Sequence, residues 1–207
     1  MNDTHPKLAR LYALKDADEA RQVYDDWAEE YDHDTVGAMG YVAPAIAAEK
    51  LAERIEDGVS VLDAGCGTGL VGEEVRRHRD VVLDGIDLSP GMLERARARD
   101  VYRSLETADL TTRLSIDNDT YDAVVCVGTL TGGHVGPAVL AEFARITTPG
   151  GVIVVTVHSD VWESGGYRAE IERLVALGAV TAEIAERPYH VREKMSCRLC
   201  VLTLPRT

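Results

Sequence analysis

Basic residues are scarce in this chain. Against 35 aspartates and glutamates there are 22 lysines and arginines, a formal net charge of −13, which repels a phosphate backbone and argues against nucleic acid as a partner. The densest basic stretches, RRHR at 76–79 and RARAR at 95–99, fall inside helical patterns. Cysteine is sparse as well. Cys66, Cys126, Cys197 and Cys200 are too few and too scattered for a disulfide framework in 207 residues, so a reducing, cytoplasmic setting is expected. Long apolar runs are missing: the longest, VIVVTV at 152–157, is far short of the roughly 20 residues that span a bilayer. The opening MNDTHPKLAR has no apolar signal region, so neither export nor a membrane partner is expected. No metal site is expected either, because Cys197 and Cys200 would face opposite ways on a strand and no second pair exists.

What is present is an ordinary folding composition, 45% hydrophobic and 28% charged, enough for one domain. Residues 1–15 read as a leader and 16–207 as a single domain. In DADEARQVYDDWAEEY, Tyr24, Trp27 and Tyr31 recur at spacings of three and four, one stripe of a helix over 16–31 with Asp16 as N-cap. A loop at 37–41 and a second helix ending before Gly58 complete an N-terminal helical unit, 16–57.

From 58 onward, short unbroken apolar runs alternate with amphipathic stretches, the pattern of strands buried on both faces and joined by crossover helices. Strands are predicted at 59–63, 81–87, 101–106, 122–127 and 151–157, with helices at 69–78, 90–99 and 137–146. A helix at 167–177 precedes two more strands, 179–186 and 195–204, too closely linked for a crossover and therefore an antiparallel hairpin. The fold class is α/β: a doubly wound, mostly parallel seven-stranded sheet.

The strongest motif is VLDAGCGTGL at 61–70, a strand running through Gly65, Gly67 and Gly69 into a helix. Glycines there let backbone amides approach a ligand closely. The dinucleotide fingerprint wants its third glycine where Leu70 stands, so a nicotinamide oxidoreductase is the lesser alternative. Asp63 at the strand end suits a cationic ligand better than a pyrophosphate. Asp87 ends the second strand 22 residues after Gly65, the offset at which a carboxylate accepts from ribose hydroxyls. Asp84 reads as a solvated strand edge. Asp109, in ADL at 108–110, fits either an adenine amino group or a turn cap.

VLDAGCGTG, the Asp87 tip, ADL, YDAVVCVG at 121–128 and LAEFARITTPGGVIVVTV at 140–157 together resemble the class I S-adenosylmethionine-dependent methyltransferases. VYDDWAEEYD (23–32), LSPGMLERA (88–96) and GTLTGGHVGP (128–137) are similar to the small methyltransferases named for the Williams–Beuren syndrome critical region. The resemblance implies a Rossmann-like core at 58–207 with the 16–57 unit as a lid, and S-adenosylmethionine as cofactor. It implies that the turn Ala64, Gly65, Cys66, Gly67 and Gly69 lines the methionine part, with Asp63 orienting its ammonium. Asp87 would hold the ribose, Leu88 and Met92 bracket adenine, Asp109 and Leu110 meet its edge, and Val127 and Gly128 pass the methionine chain. Tyr24, Trp27 and Tyr31 would close over the cofactor, an aromatic face beside a sulfonium being favourable by roughly 0.5–2 kcal/mol.

His134 and His158, at the carboxyl ends of the fourth and fifth strands, are the candidate general bases. Tyr41, Trp162 and Tyr167 are candidate walls of an acceptor pocket. The activity implied is methyl transfer to an N, O or S atom of a small molecule by a monomer or homodimer; a non-catalytic cofactor binder is the other alternative.

Overall fold

The computed structural model describes residues 17–132 and 135–206; Asp16 as a cap, the 1–15 leader and His134 lie outside the described residues. Strands β1 (Ser60–Ala64), β2 (Val82–Asp87), β3 (Ser104–Thr107), β4 (Tyr121–Leu130), β5 (Thr147–His158), β6 (Thr181–Pro188) and β7 (Ser196–Thr203) form one sheet, in the order β3-β2-β1-β4-β5-β7-β6. The first five are mutually parallel, and β7 runs antiparallel to both β5 and β6. The helices are α1 (Ala17–Trp27), α2 (Ala43–Ala52), α3 (Leu70–His78), α4 (Pro90–Arg97), α5 (Val139–Ile146) and α6 (Tyr167–Ala176). None of them, among the described residues, is long and apolar enough to cross a membrane.

Period-two alternation divides the core. Val61, Val125, Val154 and Leu199 face one way, onto Ala47 and Leu51 of α2 and Val75 of α3. Leu62, Val124, Ile153 and Leu202 face the other, onto Phe143 of α5 and Ile171 of α6. Burying each such side chain stabilises by about 1.5–3 kcal/mol, which is why these strands read as continuous apolar runs. Cys197 and Cys200 sit in different cores, as opposite faces require. Helix α4 starts as its sequence dictates: the Ser89 hydroxyl accepts from Met92 N at 3.0 Å, with Pro90 in the first turn.

Several boundaries differ from the sequence expectation, among them β5, which starts at Thr147 rather than 151, and α2, which ends at Ala52 rather than just before Gly58. The N-terminal helix stops at Trp27 and, after a turn, the chain forms a π-helix at His33–Met39, ended by Gly40 in the left-handed region at φ 69°. A loop was expected there; the wider turn lets the buried Trp27 indole donate to Asp34 at 2.8 Å and Thr35 Oγ1 to Tyr31 O at 2.7 Å. β3 begins at Ser104 rather than 101, because Val101 and Tyr102 pack into the core beneath α3. β4 extends to Leu130 through a register slip between Cys126 and Leu130. Helix α2 is part of the main core, with Ala47, Ala48 and Leu51 fully buried, whereas Val23, Trp27 and Met39 make a small cluster of their own.

Candidate functional site

The strand order reverses between β1 and β4, and a cleft opens there above the carboxyl edge, where ligands of open α/β sheets bind. Its cavity volume is about 60 Å³, and it is open to solvent. Gly65 and Gly67 form one wall, both with positive φ, 74° and 53°. A Cβ at 65 would overlap the Thr129 hydroxyl, whereas one at 67 would meet nothing within 4 Å. The Gly65 and Cys66 amides donate to Ile86 O at 2.8 and 3.0 Å. Asp87 then fixes the rest of the turn: its Oδ2 accepts from Gly67 N at 2.8 Å and its Oδ1 from Ser89 N at 2.9 Å. Burial pushes the Asp87 carboxyl up, against the backbone donors that lower it.

Leu88 and Met92 line the cleft beside Asp87, Asp109 and Leu110 line it from the loop after β3, and Val127 and Gly128 from the end of β4. Asp109 also caps its own turn, accepting from Thr111 N at 2.8 Å. Tyr24 and Tyr31 come from the N-terminal segment, with Trp27 behind them, 4.9 Å edge-on from the Tyr31 ring. Ala108, Thr129 and Val135 also line the cleft and were not foreseen. Thr129 belongs to the β4 bulge, which has no sequence signature, and the bulged Gly128 amide donates to Thr156 Oγ1 at 3.1 Å.

Asp63, Ala64, Cys66 and Gly69 lie behind the lining. Alternation places Asp63 on the same face as Val61, fully buried beneath α3, where Oδ2 accepts from the Tyr102 hydroxyl at 2.7 Å. Its Oδ1 is buried without a hydrogen-bond partner among the described residues. Gly69, left-handed at φ 88°, starts α3 where a Cβ would crowd Ala96 and Tyr102.

Asp84 is no solvated edge: it is 3% exposed and accepts from Arg103, from Ser104 Oγ at 2.7 Å and from the Tyr121 hydroxyl at 3.0 Å. The solvated-edge reading left out the partners that neighbouring strands bring, Ser104 of β3 in register with Asp84 and Tyr121 of β4. Burial raises the Asp84 carboxyl, but these donors outweigh it and hold the group below its ordinary value. His158 is 3% exposed, its Nδ1 accepting from Asp160 N at 3.4 Å. Trp162 and Tyr167 belong to the core under α6, with the Tyr167 hydroxyl donating to Val135 O at 2.5 Å.

Burial raises the Asp63 pKa from 3.8 to about 7, Tyr102 opposing it. The folded chain therefore holds that proton more tightly than the unfolded chain, a contribution to stability present below about pH 4 and lost as pH rises through about 7. Asp63→Asn cannot lose it, so the variant should gain on the unaltered chain between pH 5 and 8, by on the order of 3 kcal/mol. Urea unfolding at both pH values measures this; parallel stability curves would refute it.

Residues 61–151 match the family model described as a methyltransferase domain. Over 183 residues the chain is 32% identical to methyltransferase-like protein 27 of Homo sapiens, covering 85% of this chain and 74% of that one. The chain belongs to the class I S-adenosylmethionine-dependent methyltransferases. This methyltransferase is also 33% identical over 153 residues to the demethylmenaquinone methyltransferase of Mycobacterium tuberculosis, covering 73% of this chain and 64% of that protein, just under two thirds of its length. Among solved structures, the [4+2]-cyclase SpnF superposes with a TM-score of 0.69 at 19% identity, covering 94% of this chain and 98% of that one. That likeness speaks for the fold alone.

The cleft of the methyltransferase fits the cofactor chemically. It offers bare glycine main chain, a carboxylate at the tip of β2, apolar Leu88, Met92 and Leu110 for a base, and two tyrosine rings for a sulfonium. The N-terminal segment carrying those rings is tied to the same edge by two aspartates. Asp25 Oδ1 accepts from Ser89 Oγ at 2.5 Å and Gly91 N at 2.9 Å, and Asp32 accepts from Thr68 Oγ1 at 2.5 Å and pairs with Arg99.

Proposed function

We propose that this methyltransferase methylates a small molecule on an oxygen, nitrogen or sulfur atom. The observation that carries the reading is the lining of the cleft: bare main chain at Gly65 and Gly67, the Asp87 carboxylate and apolar Leu88, Met92 and Leu110, beneath the rings of Tyr24 and Tyr31, a concave, mostly apolar site with few polar groups of the kind that takes small ligands. A net charge of −13 disfavours a polyanionic acceptor, and the mycobacterial relative's name points to a quinone-type small molecule as that protein's acceptor.

In this reading the Asp87 carboxylate, its remaining lone pairs free of the turn amides, accepts from the ribose hydroxyls. Leu88 and Met92 hold adenine, whose edge meets Asp109 and the Leu110 amide. Gly65, Gly67, Val127 and Gly128 pass the methionine chain, and Asp63 acts on its ammonium from beneath the turn. Ala64, Cys66 and Gly69 shape that turn, and Trp27 backs the tyrosines. S-adenosylmethionine supplies an activated methyl group, so positioning the acceptor is the protein's main task.

Calorimetry should detect binding of both S-adenosylmethionine and S-adenosylhomocysteine. Methyl-tritiated cofactor incubated with a cell extract should then label the small-molecule fraction. Label confined to precipitated protein or RNA would overturn the small-molecule reading.

A further inference from the structure

S-adenosylmethionine carries an ammonium and a carboxylate at its amino-acid end, and in the placement proposed above Asp63 answers only the first. The carboxylate needs donors, because an anion taken out of water without them is costly. The cleft is short of donors. Among the described residues that line it there is no lysine or arginine, whereas Asp87 and Asp109 are present. The amides of the glycine turn are already engaged: Gly65 and Cys66 donate to Ile86 O, Gly67 to Asp87, and Gly69 to Cys66 O at 2.8 Å. On the facing wall the Gly128 amide donates to Thr156 Oγ1.

Side-chain hydroxyls remain, those of Tyr24 and Tyr31 on the N-terminal segment and that of Thr129 in the sheet. Position separates them. The strand order β3-β2-β1-β4 spreads the cleft from Asp109, after β3, past Asp87 on β2 and Gly65 after β1, to Thr129 on β4. With adenine at Asp109 and ribose at Asp87, the methionine chain runs toward β4. Thr129 stands at that end. A Cβ at Gly65 would lie 2.2 Å from Thr129 Oγ1, so the hydroxyl and the bare turn share one corner of the wall.

The β4 bulge puts the side chain there. Strict alternation would leave 129 on the face of Val125 and Val127, in the core beneath α2 and α3; the slip between Cys126 and Leu130 re-aims it toward the cleft. The buried Cys126 thiol is a hydrogen-bonding neighbour of the same hydroxyl. A thiol can donate to the hydroxyl oxygen, which leaves the O–H to donate onward.

We propose that Thr129 is a cofactor-binding residue whose hydroxyl donates to the carboxylate at the amino-acid end of S-adenosylmethionine. The proposal rests on the cofactor placement given above. Thr129 then fixes the far end of the methionine chain while Asp87 fixes the ribose, and the sulfonium between them is held in one orientation toward the acceptor.

Three ligands test it by calorimetry: S-adenosylmethionine, its decarboxylated form, and methylthioadenosine, which lacks the whole amino-acid end. Thr129→Val keeps the branched shape and loses the donor, so it should bind S-adenosylmethionine about tenfold or more weaker, the value of a hydrogen bond to a charged group. The other two ligands should bind it within about threefold of the unaltered chain, and Thr129→Ser should restore most of the lost affinity. Equal weakening of all three ligands would mark a packing defect and overturn the proposal. Unaltered affinity of Thr129→Val for S-adenosylmethionine would do the same. The unaltered chain supplies a check that needs no variant: it should prefer S-adenosylmethionine to the decarboxylated form by about tenfold, and equal affinity would refute the carboxylate contact. Failure of the unaltered chain to bind any of the three removes the underlying cofactor reading instead.

Discussion

Gly65→Val destabilises the chain by about 2–5 kcal/mol and abolishes measurable cofactor binding, because two costs add at one position. The residue sits at φ 74°, where a β-branched side chain is strained, and its first side-chain carbon overlaps Thr129, whose own position is set by the β4 bulge. The wall between β1 and β4 has no slack to absorb the change. Gly67→Ala is the matched control. At φ 53° with nothing within 4 Å of the added carbon, it should cost only about 1 kcal/mol of stability. The carbon nevertheless projects from a cleft-lining residue, so binding of S-adenosylmethionine should weaken by about thirtyfold, some 2 kcal/mol. Thermal unfolding and calorimetry on the two proteins separate the effects. Equal behaviour of the pair would show that the turn is only a turn.

Asp87→Ala is expected to weaken cofactor binding by about 1.5–3 kcal/mol, roughly 10- to 150-fold, the value of hydrogen bonds to a charged acceptor. The same substitution strands the Gly67 and Ser89 amides, which now donate to this carboxylate, so a stability loss of about 1–3 kcal/mol should accompany it. Asp87→Asn tells the two roles apart. Its remaining oxygen can keep one of the amides while its charge is gone, so binding should fall while much of the stability returns. A folded Asp87→Ala protein with unaltered affinity would refute the ribose role.

Much of the fold was legible because buried parallel strands must be apolar along their whole length. All seven strands and the closing hairpin lie where apolar runs and glycines place them, within a few residues. The site was legible where a motif is itself backbone geometry, as at Gly65, Gly67 and Asp87. It was less so where a side chain's direction matters: Asp63 and Trp27 sit in the predicted neighbourhood, but strand parity and the break after Trp27 turn them into the second layer. The slip at Val127 to Thr129, and Asp84 tied to Arg103, Ser104 and Tyr121, depend on partner strands far away in the chain.

The linear order of residues by itself determined the α/β class, the glycine turn with its acidic strand tips, and the net negative charge, since each is a matter of local periodicity, spacing or composition. Tertiary structure alone decided which carboxylates face the cleft, and that Tyr41, from before the first strand, meets Tyr189 and His190, from after the sixth, beside Gly128. Contacts across such separations come from the sheet's winding and a two-residue bulge, and neither leaves a mark in any short window of sequence.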